Sequence, residues 1–515
     1  MLGAAMLLLG GCAINRSVVD PLKATANSGL LPVVVSITAN TDEIAGFGMI
    51  KLRRIVAGEG RSDLKLVTEN LVMNKVAPGM ARDTSLFIGA LPPGEYEFVE
   101  LIDPPSNSML RVSSAMAGNF KVEPGKPTDL GRLIVSRANF SINMGRSAQL
   151  VSNIDLIERF APDYRKLFGA DVSAGWSAPR SEYDKVEAFA RAHPVGASCV
   201  TELADGRVVA ASRMGAVMLR TRQGQWRTLN AQSPETLSCV LPVDLPDAEL
   251  LAVGEFGTLV RKPRDSDQLL AVDTGNLPPG NLLSIGGNAD DGWYVMHRKG
   301  NELGVFYSRQ LQAGDWTSVH SFKVPGSMYY RSGFFWQWQD ARSMGYALLN
   351  GRIAEVDYRT GKWSERSSPR KAKLDSFKHY PDGTESVLIQ AGLMGRFPDA
   401  YMSRDRGQNW TQIVSPFKVL TSAVVPLADG RLLMESGMYN KRELMVSSDD
   451  GKTWAPYVDY PRAGAPLLLP SGLMLSFGSA SRGIDTIYSS VDNARTWKLE
   501  HTNLELSMPP AAAAR

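Results

Sequence analysis

Residues that could act as catalytic bases, nucleophiles or metal ligands are scattered along this sequence. Its five histidines, His193, His297, His320, His379 and His501, occur singly, outside any His-Glu-x-x-His motif or paired-cysteine spacing that would bind zinc. The sequence also lacks a Gly-x-Ser-x-Gly nucleophile motif and a phosphate-binding Gly-x-x-x-x-Gly-Lys loop. We therefore predict no metal site, no cofactor and no catalytic residue.

The most regular pattern that contains reactive side chains is Ser-x-Asp-x-Gly-x-Thr-Trp, which is intact from Ser447 to Trp454. Near-copies with one substitution each end at Trp410 and Trp497, at intervals of 44 and 43 residues. The residues that fit the pattern are Ser403, Asp405, Gly407, Trp410, Ser447, Asp449, Gly451, Thr453, Trp454, Ser490, Asp492, Thr496 and Trp497.

The pattern has a structural explanation that needs no catalysis. Its Ser and Asp side chains can bond backbone groups inside a tight turn, and its Gly accepts the backbone angles of that turn. The Trp can bury a large ring against the next sheet. Because a repeated element more often builds the scaffold than carries chemistry, we interpret these residues as structural.

Weaker copies extend the repeat upstream. Trp363 and Trp316 keep the Gly-x-Trp ending at intervals of 47 residues, and Trp226 lies 90 residues before Trp316. Ninety residues are two periods, so one further unit lies between them, with its Trp replaced near Leu269 or Leu270.

Turn signals give an independent count of the repeat. They precede the box endings by about 20 to 27 residues, at Asp205-Gly206, Pro246-Asp247, Asp291-Gly292, Asp340 to Ser343, Asp382-Gly383, Asp429-Gly430 and Ser471-Gly472. Seven units of about four short strands each indicate an all-β chain with a seven-bladed β-propeller over residues 194–503. We expect the strand at residues 197–203 to complete the last blade.

The eight-residue pattern is the Asp-box, or BNR repeat, and the chain resembles Asp-box propellers of the photosystem II stability and assembly factor type. The resemblance rests on the boxes and on Ala252 to Leu259, and it covers roughly Pro194 to Asn503. That family is non-enzymatic and binds protein partners. The resemblance therefore implies a binding or assembly scaffold that recognises protein or glycan on one face of the propeller.

Asp-box propellers also include sialidases, which keeps a glycoside hydrolase as the alternative function. Sialidases resemble one another in a Phe/Tyr-Arg-Ile-Pro motif, three arginines for the substrate carboxylate, and a Tyr nucleophile beside a Glu. The nearest string here, Gly395 to Pro398, lies in the fifth unit immediately before a box. The pair of carboxylates that other glycosidases use cannot be recognised without coordinates.

The first twelve residues, MLGAAMLLLGGC, form an apolar stretch that ends in Leu9-Gly10-Gly11-Cys12 and resembles the lipobox of bacterial lipoproteins. Such signal peptides begin with Lys or Arg, which this sequence lacks, so the natural signal would be longer or this start internal. The alternative is a buried apolar strand with an ordinary cysteine. The resemblance implies a lipid on Cys12, and Ala13 after it implies an outer-membrane lipoprotein of the cell envelope that faces the periplasm or the surface.

The segments between this anchor and the propeller suggest a second β domain. After a polar tether at 13–30, six to seven short strands over 31–140 are typical of an antiparallel sandwich. Helical spacing at Asn153 to Phe168 and Ser181 to Ala192 indicates a helical connector over 141–193. We expect a disordered tail at 504–515.

The composition of the chain argues against one class of partner, nucleic acid. The chain has 515 residues, 44% hydrophobic and 21% charged, with a net charge of +3 and no basic run, which argues against nucleic acid.

Cys199 and Cys239 occupy equivalent places in the first two units. They form either a disulfide, which an oxidising compartment allows, or two small buried apolar residues.

Six aromatic residues lie between Tyr329 and Trp338 at the start of the fourth unit. Tyr329, Tyr330 and Arg331 precede the predicted strand and are candidate ligand contacts at the channel mouth, because aromatic faces with an Arg can stack a sugar or hold a peptide. The simpler interpretation is an inner strand whose alternate side chains pack between blades.

Overall fold

The computed structural model describes residues 15–24, 28–41, 47–55, 70–76, 80–103, 108–112, 114–138, 141–147, 152–178, 185–324, 335–390, 398–414, 423–438, 441–457, 466–480 and 484–502. Within these ranges the chain is mostly β-strand. A ten-stranded N-terminal sheet is followed by seven four-stranded sheets.

The N-terminal sheet is built from the first ten strands of the chain. They are β1 (Asn15–Ser17), β2 (Leu31–Asn40), β3 (Met49–Ile55), β4 (Asn70–Val76), β5 (Thr84–Leu91), β6 (Gly94–Asp103), β7 (Ser108–Arg111), β8 (Phe120–Val122), β9 (Thr128–Ala138) and β10 (Ser141–Arg146). Their order is β10-β9-β2-β5-β4-β3-β6-β7, with β1 beside β4 and β8 beside β6.

The two halves of this sheet enclose one apolar core. Val35 and Leu133 from the β2–β9 half and Phe98 from the β3–β6 half are fully or almost fully buried in the same cluster. A sandwich-like domain is therefore present, but the prediction that it is antiparallel is wrong for two of its nine described strand pairs. β2 pairs with β9, and β1 with β4, in parallel, because in each case the intervening chain returns to enter the second strand in the same direction as the first.

Two boundaries of this domain also differ from the sequence prediction. Asn15–Ser17, expected in a free tether, pairs with β4 and satisfies backbone groups of that strand. Ser141–Arg146, expected in the helical connector, pairs with β9 and so continues the sheet. The N-terminal domain thus extends in both directions beyond 31–140.

Three α-helices occur in the described ranges: α1 (Ser114–Ala117), α2 (Asn153–Phe160) and α3 (Lys185–Ala192). The hydroxyl of Ser152 caps α2 by accepting the Ile154 amide at 3.0 Å, and Pro162–Leu167 continues as a 3₁₀ turn. α3 packs Val186 and Ala190 against the sheet residue Ile134. Among the residues described, no helix has the length and apolar composition to cross a bilayer.

Each of the seven later sheets consists of four consecutive antiparallel strands. Sheet 1 contains β11–β14 (Ser198–Glu202, Val208–Ala211, Ala216–Arg220, Trp226–Asn230), and sheet 2 contains β15–β18 (Leu237–Leu245, Ala248–Gly254, Leu259–Lys262, Leu270–Ala271). Sheet 3 contains β19–β22 (Asn281–Asn288, Gly292–Lys299, Glu302–Ser308, Thr317–Lys323), and sheet 4 contains β23–β26 (Phe335–Gln339, Ser343–Leu348, Arg352–Asp357, Trp363–Ser367). Sheet 5 contains β27–β30 (Leu374–His379, Glu385–Ile389, Asp399–Ser403, Thr411–Ile413). Sheet 6 contains β31–β34 (Val425–Pro426, Leu432–Met438, Lys441–Ser447, Ala455–Pro456), and sheet 7 contains β35–β38 (Leu467–Leu468, Met474–Ala480, Ile484–Ser490, Lys498–Thr502).

Apolar clusters join each sheet to the next and the last sheet to the first. Val209 of sheet 1 and Leu250 of sheet 2 share one such cluster. Leu475 of sheet 7 shares another with Val208 and Met218 of sheet 1. Each sheet buries both faces only through its neighbours, so the contacts close a ring, which is the architecture of a β-propeller.

The ring closes differently from the sequence prediction. Ser198–Glu202 was expected to complete the last blade, yet it is the first strand of sheet 1. Sheet 7 draws all four strands from residues 467–502. Side chains make the closure instead: Arg220 donates to both carboxylate oxygens of Glu500 at 2.7 and 2.6 Å, and the Trp226 indole donates to the same carboxylate at 3.0 Å.

Candidate functional site at the ring mouth beside the N-terminal domain

The ring has two mouths that differ in what lies at them. First strands touch one another around the axis, as β11 touches β15 and β15 touches β19. Because neighbouring strands alternate in direction, all first strands begin at one mouth, the front mouth, and end at the other. The Asp-box turns connect third to fourth strands and therefore lie at the mouth where first strands end, the box mouth.

The Asp-box turns are closed by their own side chains. In the intact copy, the Ser447 hydroxyl donates to Asp449 at 2.8 Å and accepts the Gly451 amide at 2.9 Å. Asp449 also accepts the amide of Thr453 at 2.9 Å and its hydroxyl at 2.6 Å. The copies that begin at Ser403 and Ser490 repeat these contacts.

Electrostatics and backbone angles agree with this structural role. Hydrogen bonds from the Thr453 hydroxyl and amide, and from Ser447, lower the pKa of Asp449 to about 2. Gly451 has φ +80°, a left-handed conformation that favours glycine. At the same place in the last copy Ala494 has φ +65°, so the turn tolerates the departure from the pattern that its sequence shows.

The Trp that ends each box packs against the preceding sheet, so the prediction that it packs against the next sheet was wrong. The Trp454 indole donates to the Val414 carbonyl of sheet 5 at 2.6 Å. Trp363 stacks on His320 of sheet 3 with ring centroids 4.0 Å apart. In sheet 2, which lacks the Trp, Leu269 is 3% exposed and fills the same junction with sheet 1, while Leu270 is exposed.

At the front mouth the N-terminal domain is fixed to sheets 1 and 2 by buried charges. Arg132 donates to Glu235 at 2.6 Å, with 2% and 4% of the two side chains exposed. Asp83 pairs with Arg213 at 3.2 Å, and the carboxylate is fully buried. Because removing either partner would leave a buried charge poorly compensated, these pairs fix how the domain sits on the ring.

Glu255 anchors the same junction from the ring side. It accepts the amides of Arg82 and Asp83, that of Thr84 at 3.3 Å, and that of Thr236 at 3.4 Å. Complete burial, reinforced by the charge of Asp83, raises the pKa of Glu255 to about 7. A single carboxyl group therefore holds the N-terminal loop 82–84 on sheet 2.

A cavity of about 180 Å³ lies at the front mouth between these parts. Loop residues Arg82 and Asp83 form its N-terminal side, and residues 195–198, 211–213 and Met218 form the sheet 1 side. The start of sheet 2 contributes Thr236 and Leu237, and sheet 7 contributes Phe477, Gly478, Thr486 and Ile487. Docking of the N-terminal domain on the ring therefore supplies one side of the cavity.

Two polar side chains of the cavity lining are incompletely paired within the described part of the protein. The Arg82 side chain is 56% exposed, and its nearest counter-ion, Asp83, is 3.8 Å away and shared with Arg213. Thr236 is 4% exposed, and its hydroxyl finds no hydrogen-bond partner among the residues that the structure describes. The cavity lining thus combines a cationic residue and a buried hydroxyl residue with the apolar residues Leu237 and Phe477.

The described residues around this cavity do not form the sialidase arrangement. Its described lining has two arginines, one carboxylate and no tyrosine. Nor do the described ranges contain any group of three His, Cys, Asp or Glu side chains placed to hold a metal ion. What the lining offers is charge, hydrogen bonding and apolar contact.

A second titratable cluster is buried between sheets 4 and 5. His379 bridges Asp340 at 3.0 Å and Glu385 at 3.1 Å, and Arg406 reaches Asp340 at 2.8 Å. Burial disfavours the imidazolium, yet the bonds to the two carboxylates outweigh it and raise the pKa of His379. The side chains of His379, Asp340 and Glu385 are 2%, 7% and 0% exposed. The cluster therefore joins two sheets in a place that a substrate does not reach.

The structure reaches only some of the residues that the sequence singled out. Tyr329, Tyr330, Arg331 and Cys12 lie outside the described residues. Within the aromatic segment, Trp338 is 7% exposed on β23 and packs on Phe377 of sheet 5, as the simpler interpretation requires.

The two remaining cysteines meet between the first strands of sheets 1 and 2. Cys199 and Cys239 form a disulfide with Cα atoms 4.8 Å apart. Equivalent positions in adjacent sheets are therefore close enough for the bond, which sequence reasoning had left open.

No pattern in the sequence predicted the cavity. Arg82, Asp83, Arg213 and Thr236 belong to no motif, and only the fold brings them together. The one available signal was Glu255, a charged residue that directly follows the apolar run Leu250 to Gly254. A carboxylate there must be buried with partners, although the sequence does not say which.

No protein-family model matches the chain, and no curated protein matches it. Solved structures that resemble it include a virginiamycin B lyase from Staphylococcus aureus, at 12% identity over 57% of this chain and 92% of that one, with a TM-score of 0.37. TolB from Acinetobacter baumannii has 14% identity over 58% and 77% of the two chains, with a TM-score of 0.31. YCF48 bound to a D1 peptide has 13% identity over 57% and 91%, with a TM-score of 0.39. These structures are β-propellers, and the function of this chain must be argued from its own residues.

Proposed function

We propose that the chain is a non-catalytic binding or assembly scaffold that recognises protein or glycan at the front mouth of a seven-bladed Asp-box propeller. The observation that carries the proposal is the cavity at that mouth, which four separate parts of the chain build together. Buried ion pairs preorganise its N-terminal side, and preorganisation lowers the entropic cost of binding.

The repeat supports the same proposal, because its polar side chains are taken up by structural contacts. In the three described boxes, the Ser and Asp side chains are occupied in closing their own turns. The titratable cluster between sheets 4 and 5 is likewise occupied in joining sheets. The most regular polar residues of the chain therefore hold the ring together, and recognition falls to the mouth where the N-terminal domain sits.

We also propose that a lipid on Cys12 holds the protein in the bacterial cell envelope, at the outer membrane and facing the periplasm or the surface. The support is the Leu-Gly-Gly-Cys sequence, which resembles a lipobox. The Cys199–Cys239 disulfide is compatible with such an oxidising compartment. Radiolabelled fatty acid should enter the wild-type protein and not Cys12→Ser; label retained in the variant would overturn the anchor.

The rival function is glycoside hydrolysis, and a turnover assay separates the two. The purified full chain should release no fluorophore from fluorogenic sialosides or other glycosides above a buffer blank. Turnover that a single substitution at the front mouth abolishes would replace the scaffold with an enzyme. Contaminating hydrolase would be recognised because Asp83→Asn would leave its rate unchanged.

A further inference from the structure

We propose that the front-mouth cavity binds a carboxylate carried by an acidic protein segment, either an Asp or Glu side chain or a chain-terminal carboxylate. This inference rests on the proposed binding function and names the chemistry of its ligand. It follows from three features of the cavity: the available charge, the available hydroxyl and the size.

The available charge at the cavity is positive. Asp83 is fully buried, and its main counter-ion is Arg213 at 3.2 Å, on the inner side of the cavity. Arg82 lies 3.8 Å from the same carboxylate, at the outer limit of an ion pair, and exposes 56% of its side chain. A carboxylate from outside would complete the pairing of Arg82 through charge-assisted hydrogen bonds, which are stronger than neutral ones.

The second feature is the Thr236 hydroxyl. Its residue is 4% exposed, lines the cavity and has no partner for its oxygen among the described residues. Buried hydroxyls are normally hydrogen-bonded, so an unpartnered one that lines a cavity is suited to an incoming acceptor. A carboxylate has the acceptor positions to engage the guanidinium and the hydroxyl together.

The size of the cavity favours a peptide over a sugar chain. At about 180 Å³ the cavity falls below the range of about 300 to 1,000 Å³ typical of small-molecule pockets and suits a single side chain. Its Phe477, Leu237 and Ile487 would contact the methylene groups of that side chain or an apolar neighbour. The lining also includes polar side chains, those of Ser198, Ser212 and Thr486. The argument for a single side chain over a sugar chain therefore rests on the size of the cavity.

A peptide library tests the inference while the natural partner is still unidentified. The immobilised full chain would select from phage-displayed random 12-residue peptides, and affinities of a selected synthetic peptide would be measured by calorimetry. We expect enrichment of Asp or Glu at one position and about tenfold or greater loss of affinity in Arg82→Glu. Thr236→Val, which preserves shape, should weaken the same peptide by a smaller factor.

The matched control is Arg404→Glu. Arg404 is 55% exposed, against 56% for Arg82, but it lies in an Asp-box turn at the opposite mouth. The change should leave the affinity for the selected peptide unaltered. Thermal unfolding of both variants establishes that each is folded at the assay temperature.

Each other result decides against the inference. Selected peptides without an acidic position, or acidic peptides that bind Arg82→Glu as tightly as wild type, would overturn it while leaving a binding scaffold intact. Sialyllactose that binds in an Arg82-dependent way when no peptide does would also overturn it, in favour of a glycan. Turnover of that sugar by the wild type would instead defeat the proposed function.

Discussion

The box mouth and the front mouth of the ring both concentrate polar side chains, but they are built in opposite ways. At the box mouth one local turn recurs, and each copy satisfies its own Ser, Asp and backbone groups within eight residues. At the front mouth the cavity occurs once and draws on residues 82, 213, 236 and 477, which are far apart in the sequence.

The difference shows where recognition can arise in a repeat protein. A turn that closes on itself has no spare donors, so repetition multiplies stability and leaves little for a ligand. Where an added domain meets the ring, the two surfaces do not match completely, and the mismatch leaves Arg82 and the Thr236 hydroxyl available. Substitutions at the junction between the N-terminal domain and the ring can therefore test whether the front mouth depends on that junction.

The largest effect should come from Glu255→Ala. This change removes the acceptor of four backbone amides, of which those of Asp83, Thr84 and Thr236 are buried. We expect the free energy of unfolding to fall by about 3 to 5 kcal/mol, as when one partner of a buried network is deleted. Urea unfolding followed by circular dichroism measures it.

Glu255→Gln is the matched control because its single oxygen can still accept the amides of Arg82, Asp83 and Thr84, which all bond to one carboxylate oxygen, and only the contact with the Thr236 amide is lost. Glu255→Gln should lower the free energy of unfolding much less than Glu255→Ala does. Equal losses in the two variants would show that the amide contacts do not hold the loop, and the junction would need another anchor.

Loss of the disulfide should have the next largest effect. Cys199 and Cys239 are separated by 40 residues, and a bond that closes such a loop stabilises by about 2 to 4 kcal/mol. Cys199→Ser should lower the free energy of unfolding by that amount, and the double serine variant should lose no more. A reductant that destabilises the wild type and Cys199→Ser equally would show that the bond is absent.

The junction should also make stability depend on pH. Because the pKa of Glu255 is raised from 4.5 to about 7, the folded state binds its proton more tightly than the unfolded state does. This contribution is fully present below about pH 4.5 and is lost as pH rises through about 7, with a total of at most about 3 kcal/mol. The difference between wild type and Glu255→Gln, measured from pH 4.5 to 8, reports this contribution together with its coupling to Asp83 and Glu235, whose charges act on the same carboxyl group.

A wild type whose stability rose over that range relative to Glu255→Gln would contradict the assignment. It would mean that the four amides favour the carboxylate more than burial disfavours it. The junction would then resemble the box turns, where hydrogen bonds lower the pKa of Asp449.

The contrast between the mouths also explains what the sequence could predict. The β-propeller class was confirmed because boxes and turns carry their signal locally, within residues that are neighbours in the chain. In sheet 2 the local spacing was sufficient even without the Trp. It predicted Leu269 or Leu270 in place of the Trp, and Leu269 fills the junction with sheet 1.

Predictions that depended on long-range pairing failed for a physical reason. The parallel pairing of β2 with β9 and the closure of sheet 7 by its own strands are set by which strands meet in space, and periodicity does not encode that. The cavity has the same origin, since Arg82 and Phe477 approach each other only after both domains have folded and docked. Neither residue has a sequence neighbour that marks its role.

The most direct test of the central claim compares one substitution at each mouth by two measurements. Arg82→Glu and Asp449→Ala would each be assayed for affinity toward the selected acidic peptide and for thermal unfolding temperature. We predict that Arg82→Glu loses about tenfold or more in affinity while it remains folded at the assay temperature. Asp449→Ala should unfold at a lower temperature and bind, while folded, as the wild type does. Loss of peptide binding in folded Asp449→Ala, with full binding by Arg82→Glu, would contradict the claim that the front mouth recognises and the boxes hold the ring together.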